Sequence, residues 1–178
     1  PCICYDEKNI FGGQRKMHFS NKFIRANGEV CDFNNHVPSP YFRKEFELDF
    51  AAENAEILIC GLGFYRLWIN GSEITKGALA PYISNTGDIC YYDLYSVAAL
   101  LKKGTNVIGV QLGNGFRNPF GGFIWEFEKM ESRGPVCLAL TFKAEGGGRE
   151  LCFEADESFK THASPVIFDE LRMGCRYD

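Results

Sequence analysis

With 178 residues the chain has the length of one domain, and such a domain buries roughly 70% of the surface its unfolded form exposes. A hydrophobic content of 46%, with 16 Phe, 8 Tyr and 2 Trp, excludes a disordered tract, while 19 Gly and 7 Pro break the chain into short elements. The formal charge of -4 comes from 23 acidic and 19 basic side chains mixed throughout, so no basic face stands ready, and neither nucleic acid nor a membrane surface is an expected partner.

Residues 1–37 read as an irregular lead-in segment, broken at Gly12-Gly13 and Asn34-Asn35, with one strand expected near Lys22 to Ala26. The Pro38-Ser39-Pro40 turn opens the ordered part, a single domain over 38–178. Tyr41 to Phe50 alternates, with Phe46, Leu48 and Phe50 on one side and Glu45, Glu47 and Asp49 on the other, as in a half-buried strand. Ala55 to Cys60 forms an apolar strand that ends at the Gly61-Leu62-Gly63 break. In the next strand, Phe64 to Ile69, the core face is assigned to Tyr65, Leu67 and Ile69, because the opposite face holds Arg66 beside Phe64 and Trp68. Asn70-Gly71 then predicts a type I′ hairpin, since both positions tolerate positive φ.

Tyr91 to Tyr95 is a further strand, and Ser96 to Leu101 carries apolar residues at helical spacing before the stop at Gly104, which predicts one helical turn. Thr105 to Leu112 and Pro135 to Ala144 are strands, and Arg149 to Glu154 pairs with the second across Gly146-Gly147-Gly148. Strands recurring every 8 to 15 residues or so, with hardly a helix, predict an all-β fold, an antiparallel β-sandwich or jelly roll.

Chemistry is sparse. The eight cysteines (2, 4, 31, 60, 90, 137, 152 and 175) sit mostly singly in apolar runs and form no CxxC, which favours buried thiols over zinc ligands or disulfides. With no secretory leader and no apolar run near 20 residues, a cytoplasmic location is expected. Gly61-Leu62-Gly63 lacks the third glycine and following helix of a dinucleotide fingerprint, and reads as a bulge or tight crossing. His18, His36 and His162 have no ligand spacing and read as surface residues. No nucleophile elbow is present. Glycoside hydrolysis needs two opposed carboxylates, whereas the acidic residues fall on exposed strand faces and turns; even Glu126 and Glu128, beside Trp125, read as a solvated face. No catalytic residue is assigned.

The glycine-rich stretch Gly113 to Gly122 lacks the Lys-Ser/Thr pair of a phosphate loop and reads as a long, shaped loop. Its Asn114, Phe116, Arg117, Asn118 and Phe120, together with Trp125 and with Trp68 of the hairpin, combine aromatic faces and polar forks suited to a sugar or a neighbouring domain. Oxygen atoms of Asn85, Asp88 and Asn114 leave calcium open; no other cofactor is expected.

Taken in order, several segments resemble one family. Pro40-Tyr-Phe-Arg-Lys-Glu-Phe46 is similar to the start of the N-terminal accessory β-domain of bacterial α-L-rhamnosidases of glycoside hydrolase family 78, and Gly61-Leu-Gly-Phe-Tyr-Arg-Leu-Trp-Ile-Asn-Gly71 resembles its first hairpin. Leu79-Ala-Pro-Tyr82, Tyr91-Tyr-Asp93-Leu-Tyr95, Leu100 to Gly115, Asp156-Glu-Ser-Phe-Lys160 and Gly174-Cys-Arg-Tyr-Asp178 match further family segments, so the resemblance covers about 38–178. Phe116 and Phe159 stand where the family usually has Trp, and Cys175 where it has Glu.

The resemblance implies a galactose-binding-domain-like sandwich without catalytic residues. A downstream α/α-toroid in the same polypeptide would carry the glutamates for inverting hydrolysis of terminal α-L-rhamnose from glycosides. The present domain would brace that barrel or help to recognise rhamnose-containing glycans. An autonomous carbohydrate-binding module for L-rhamnose or a related sugar is the alternative, and a structural module of an unrelated β-protein a third. A bracing domain should show an apolar patch, and a sugar module a concave site with polar groups in place.

Overall fold

The computed structural model describes residues 19, 22–77, 79–120 and 125–178. Among these are eleven strands: β1 (Pro40–Leu48), β2 (Asn54–Leu62), β3 (Phe64–Ile69), β4 (Ser72–Glu73), β5 (Asp93–Ser96), β6 (Gly104–Gly113), β7 (Cys137–Gly146), β8 (Arg149–Glu154), β9 (Lys160–Ala163), β10 (Val166–Glu170) and β11 (Gly174–Tyr177). They form a five-stranded sheet in the order β4-β3-β6-β1-β9, a four-stranded sheet in the order β5-β2-β7-β8, and the β10-β11 hairpin. All pairings are antiparallel, and the chain repeatedly crosses from one sheet to the other. The fold is the antiparallel β-sandwich that the strand spacing predicts.

Side-chain alternation decides which residues fill the sandwich. Phe42, Phe46 and Leu48 of β1, Tyr65, Leu67 and Ile69 of β3, and Ile108, Val110 and Leu112 of β6 point inward, against Ile57 and Ile59 of β2 and Leu138, Leu140 and Phe142 of β7. Each such side chain contributes about 1.5–3 kcal/mol through burial. Tyr65 reaches across the layer, where its hydroxyl donates to the Asp93 carboxylate and lies 3.0 Å from the Tyr95 hydroxyl. Burial, first, and these two partners push its phenol well above the usual range.

The two sheets differ outside. In the five-stranded sheet β1 and β3 alternate between buried and exposed positions, whereas β2 is buried without interruption from Leu58 to Leu62 and β7 from Cys137 to Phe142. Part of the four-stranded sheet is therefore apolar on both faces, while the far end of its outer face carries Lys143 paired with Glu145 and Glu150. Its outer side forms a second cluster of Cys60, Leu62, Cys137 and Ala139, covered by Phe19, Phe23 and Cys90. The strand expected near Lys22 to Ala26 shrinks to a single bridge, Ile24 to Leu138, with reciprocal N–H···O bonds of 2.9 and 2.8 Å. Packing thus begins before residue 38, although regular strands begin at Pro40.

The break predicted at Gly61-Leu62-Gly63 narrows to Gly63, with β2 running through Leu62. At φ +115°, a Cβ on Gly63 would stand 2.3 Å from the Gly113 carbonyl oxygen, so the tight crossing requires glycine. Residues 98–100 form the helical turn, as a 3₁₀ turn. Tyr91 and Tyr92, expected in a strand, precede β5 and are exposed. The Gly12-Gly13 break, Cys2, Cys4 and His18 lie outside the described residues.

Asn70 (φ 50°) and Gly71 (φ 86°) form the expected turn between β3 and β4. Asn70 also donates from Nδ2 to the Leu100 carbonyl at 2.8 Å and to Asn106 Oδ1 at 2.9 Å. Asn106, 0% exposed, accepts in addition from the Lys102 N–H at 3.0 Å and donates to the carbonyls of Lys102 and Gly104 at 2.6 and 2.9 Å. Its amide is fully used. Asn106→Ala should destabilise the domain by about 2–4 kcal/mol, because it strands several buried polar groups; urea denaturation measures this, and a change within error of zero would show that water replaces the amide.

Candidate functional site

The loop after β6 is held by polar groups turned inward. The Asn114 N–H donates to Asp169 Oδ2 at 2.6 Å, and Asn114 Nδ2 donates to Asp169 Oδ1 at 2.5 Å and to the Val37 carbonyl at 2.8 Å. Asn118 Nδ2 donates to Asn114 Oδ1 at 2.8 Å, and Asn118 Oδ1 accepts from the Cys31 N–H at 2.7 Å. Both asparagines are buried, Asn118 to 0% exposure. The Arg117 guanidinium donates to the Ser132 carbonyl, to Thr86 Oγ1 at 3.3 Å and to the Pro135 carbonyl at 3.4 Å. These three residues, nominated in the sequence for contact with a sugar or domain, are placed in internal closure of the loop.

The aromatic candidates separate. Phe120 packs with Phe33 at 5.7 Å between ring centroids and with His36 at 4.5 Å, and His36 also meets Phe168 edge-on at 4.7 Å. His36 is consequently half-buried among rings, not a surface residue as its turn-like sequence context suggested. Phe116 meets Phe127 edge-on at 5.5 Å. Trp125, 58% exposed, lies 5.3 Å from Phe127, and the Arg172 guanidinium covers both rings at 5.4 and 4.8 Å. Arg172 Nε donates to buried Glu170 Oε1 at 2.7 Å. Glu126 pairs with Lys129 at 2.5 Å on the surface, and the side chain of Glu128 lies outside the described residues. Trp68 stands apart from this group, on the outer face of the five-stranded sheet.

The oxygens nominated for calcium fall into two networks. Asn85 Nδ2 donates to Asp88 Oδ2 at 2.6 Å in a surface turn, while Asn114 belongs to the buried Asp169 group. Among the described residues, no three His, Cys, Asp or Glu side chains are grouped as metal ligands.

The feature missed in the sequence is an exposed apolar stretch between β4 and β5. Leu79, Tyr82, Ile83, Ile89, Tyr91, Tyr92 and, on β5, Leu94 are all exposed, Tyr82 to 82%. Leu94 opposes Leu58 of β2, and Tyr92 stacks on Phe19 at 5.0 Å. Tyr92 and Leu94 therefore extend the apolar part of the outer face of the four-stranded sheet, whereas Leu79 lies beside Arg66 and Gln111 of the other sheet. The one sequence signal of the stretch is the density of apolar residues within a turn-rich segment.

Fold and surface place the chain among antiparallel β-sandwich modules. The model of the α-L-rhamnosidase N-terminal domain matches residues 51–178, and the chain belongs to that family. An α-L-rhamnosidase of Formosa agariphila is 35% identical over 147 residues, 78% of this chain and 15% of that protein. The crystal structure of the native α-L-rhamnosidase from Aspergillus terreus superimposes with a TM-score of 0.75 at 28% identity, covering 86% of this chain and 17% of that one. An α-L-rhamnosidase structure from Dictyoglomus thermophilum gives a TM-score of 0.73 at 27% identity, covering 88% and 18%. The chain thus spans less than a fifth of the length of each of these relatives.

Asp169 offers a direct check on the loop network. Burial raises its pKa, opposed by the hydrogen bonds from Asn114 and Ser39, while the neighbouring Glu170 charge adds to the rise. A raised carboxyl pKa means that the native state binds the proton more tightly than the unfolded chain, so this contribution to stability is present below the ordinary carboxyl range and is lost as pH rises through the folded pKa. Wild-type stability should fall relative to Asp169→Asn as pH rises above the ordinary Asp pKa of about 4. Denaturation curves of both proteins across that rise test this; a pH-independent difference would contradict it.

Proposed function

We propose that the chain is a non-catalytic segment of a larger α-L-rhamnosidase, which hydrolyses terminal α-L-rhamnose from glycosides, and that it braces the catalytic part of the same polypeptide. The observation that carries this reading is the exposed apolar stretch from Tyr82 to Leu94, continuous with the apolar part of the outer face of the four-stranded sheet. Surfaces of this kind, when not covered in the fold itself, suit contact with another domain. The chain's small share of its relatives' length supports a partner on the same polypeptide. The inward-turned polar groups of the Gly113 loop fit structural use better than a sugar site. Hydrolysis through paired carboxylates also finds little support, because Asp169 is tied to Asn114 and Glu170 to Arg172.

Hydroxyl-radical footprinting tests the docking face. Tyr82, Tyr91 and Tyr92 should be oxidised readily in the 178-residue chain and protected several-fold in the polypeptide that also carries the catalytic part. Equal oxidation in the two proteins would rule out this face as the contact.

A further inference from the structure

The opposite side of the sandwich carries a separate site. Antiparallel register sets Trp68 of β3, Gly109 of β6, Arg43 of β1 and Lys160 of β9 in one row across the outer face of the five-stranded sheet. The next row holds Arg66, Gln111, Tyr41 and His162. Gly109 leaves the first row hollow. A Cβ built there would meet only the Trp68 Cβ, at 3.9 Å, and the φ of Gly109 does not require glycine. The result is a groove of about 570 Å³ whose floor is apolar, from Trp68, Val107 and Tyr41, and whose charged lining is Arg43 and Lys160, with His162 beside them. Two carboxylates flank it, Glu73 opposite Trp68 and Glu45 opposite Val107, each paired with an arginine.

The surrounding contacts fix this arrangement. Arg66 lies 5.1 Å from the Trp68 ring and is held by Glu73 through two bonds of 2.8 and 2.6 Å, which steadies the indole from the side of the second row. Arg43 is held along its own strand by Glu45 at 2.9 Å, and Lys160 stands opposite it. A large indole beside a hollow suits the C–H face of a sugar ring, since aromatic rings offer wide, rigid contact at small entropic cost. Arg43 is already paired with Glu45, so the charge at the far end of the row that favours an anion is that of Lys160.

We propose that this groove binds a carboxylate-bearing saccharide, with one pyranose face against Trp68 and the carboxylate at Lys160. The site is independent of the docking face and lies on the other sheet.

The chain has two tryptophans, so Trp125→Phe leaves Trp68 as the sole indole reporter. Its emission should change saturably on titration with trigalacturonate or with a glucuronate oligomer, and little with neutral maltotriose. Lys160→Ala should weaken the response several-fold, as should raising the salt, which screens exposed charges. Gly109→Leu should abolish binding while leaving the far-UV circular dichroism and Tm at or above those of the parent, because the added side chain enters open space in a strand. Three results would overturn the proposal: no saturable change with either acidic oligomer up to about 10 mM, a limit near the weakest specific affinities; equal binding of the neutral sugar; or unchanged binding by a folded Gly109→Leu. None of these bears on the footprint of Tyr82, Tyr91 and Tyr92, so the two readings fail separately.

Discussion

The two-sided burial of β2 and β7 is the constraint on which the rest of the domain depends. A strand with one apolar face is satisfied by the layer it packs on, but Leu58 to Leu62 and Cys137 to Phe142 need cover above as well as below. Phe19, Phe23 and Ile24 supply part of that cover from the lead-in segment. Beyond them, Tyr82, Tyr92 and Leu94 remain exposed. The five-stranded sheet has no such requirement: its inner face closes the core, and its outer face is covered in part by Ser164 and Asp169, at Gln111 and Gly113, and otherwise left to water and to whatever the Trp68 row can hold.

A second, polar device joins parts of the chain that are far apart in sequence. Asp169 of β10 accepts hydrogen bonds from Asn114 and Ser39, Asn114 reaches Val37, and Asn118 takes the Cys31 N–H. Buried polar groups are stable only when such partners are complete. The network therefore fixes the lead-in, the Gly113 loop and the β10-β11 hairpin relative to one another. Phe159 is buried in the main core, and Phe116 packs on Phe127; both positions hold an aromatic ring in a packed setting.

Period-two alternation was enough to assign the inner faces of β1 and β3, and Asn70-Gly71 was enough to place a turn, because these depend on neighbours in sequence. The roles of Asn114, Arg117 and Asn118 were not legible in the same way. An amide or guanidinium that closes a loop has the same chemistry as one that grips a sugar, and the deciding partners, Cys31, Thr86 and Asp169, are tens of residues away. The Trp68 row was hidden for a related reason. Arg43, Gly109 and Lys160 become neighbours only through the register of four strands, and in sequence their charges are lost in an even mixture of acids and bases. The apolar face at Tyr91 to Leu94 was concealed by its likeness to an ordinary strand.

The central claim is that the two outer faces of this sandwich serve different ends, one covered by protein and the other open to ligand. A cryo-electron-microscopy map of the intact polypeptide that contains this chain tests it most directly. The account predicts Tyr82, Tyr92 and Leu94 inside an interdomain contact, with Gly109 and Trp68 facing solvent. A map with Leu94 in solvent and the Gly109 row packed against a neighbouring domain would contradict it.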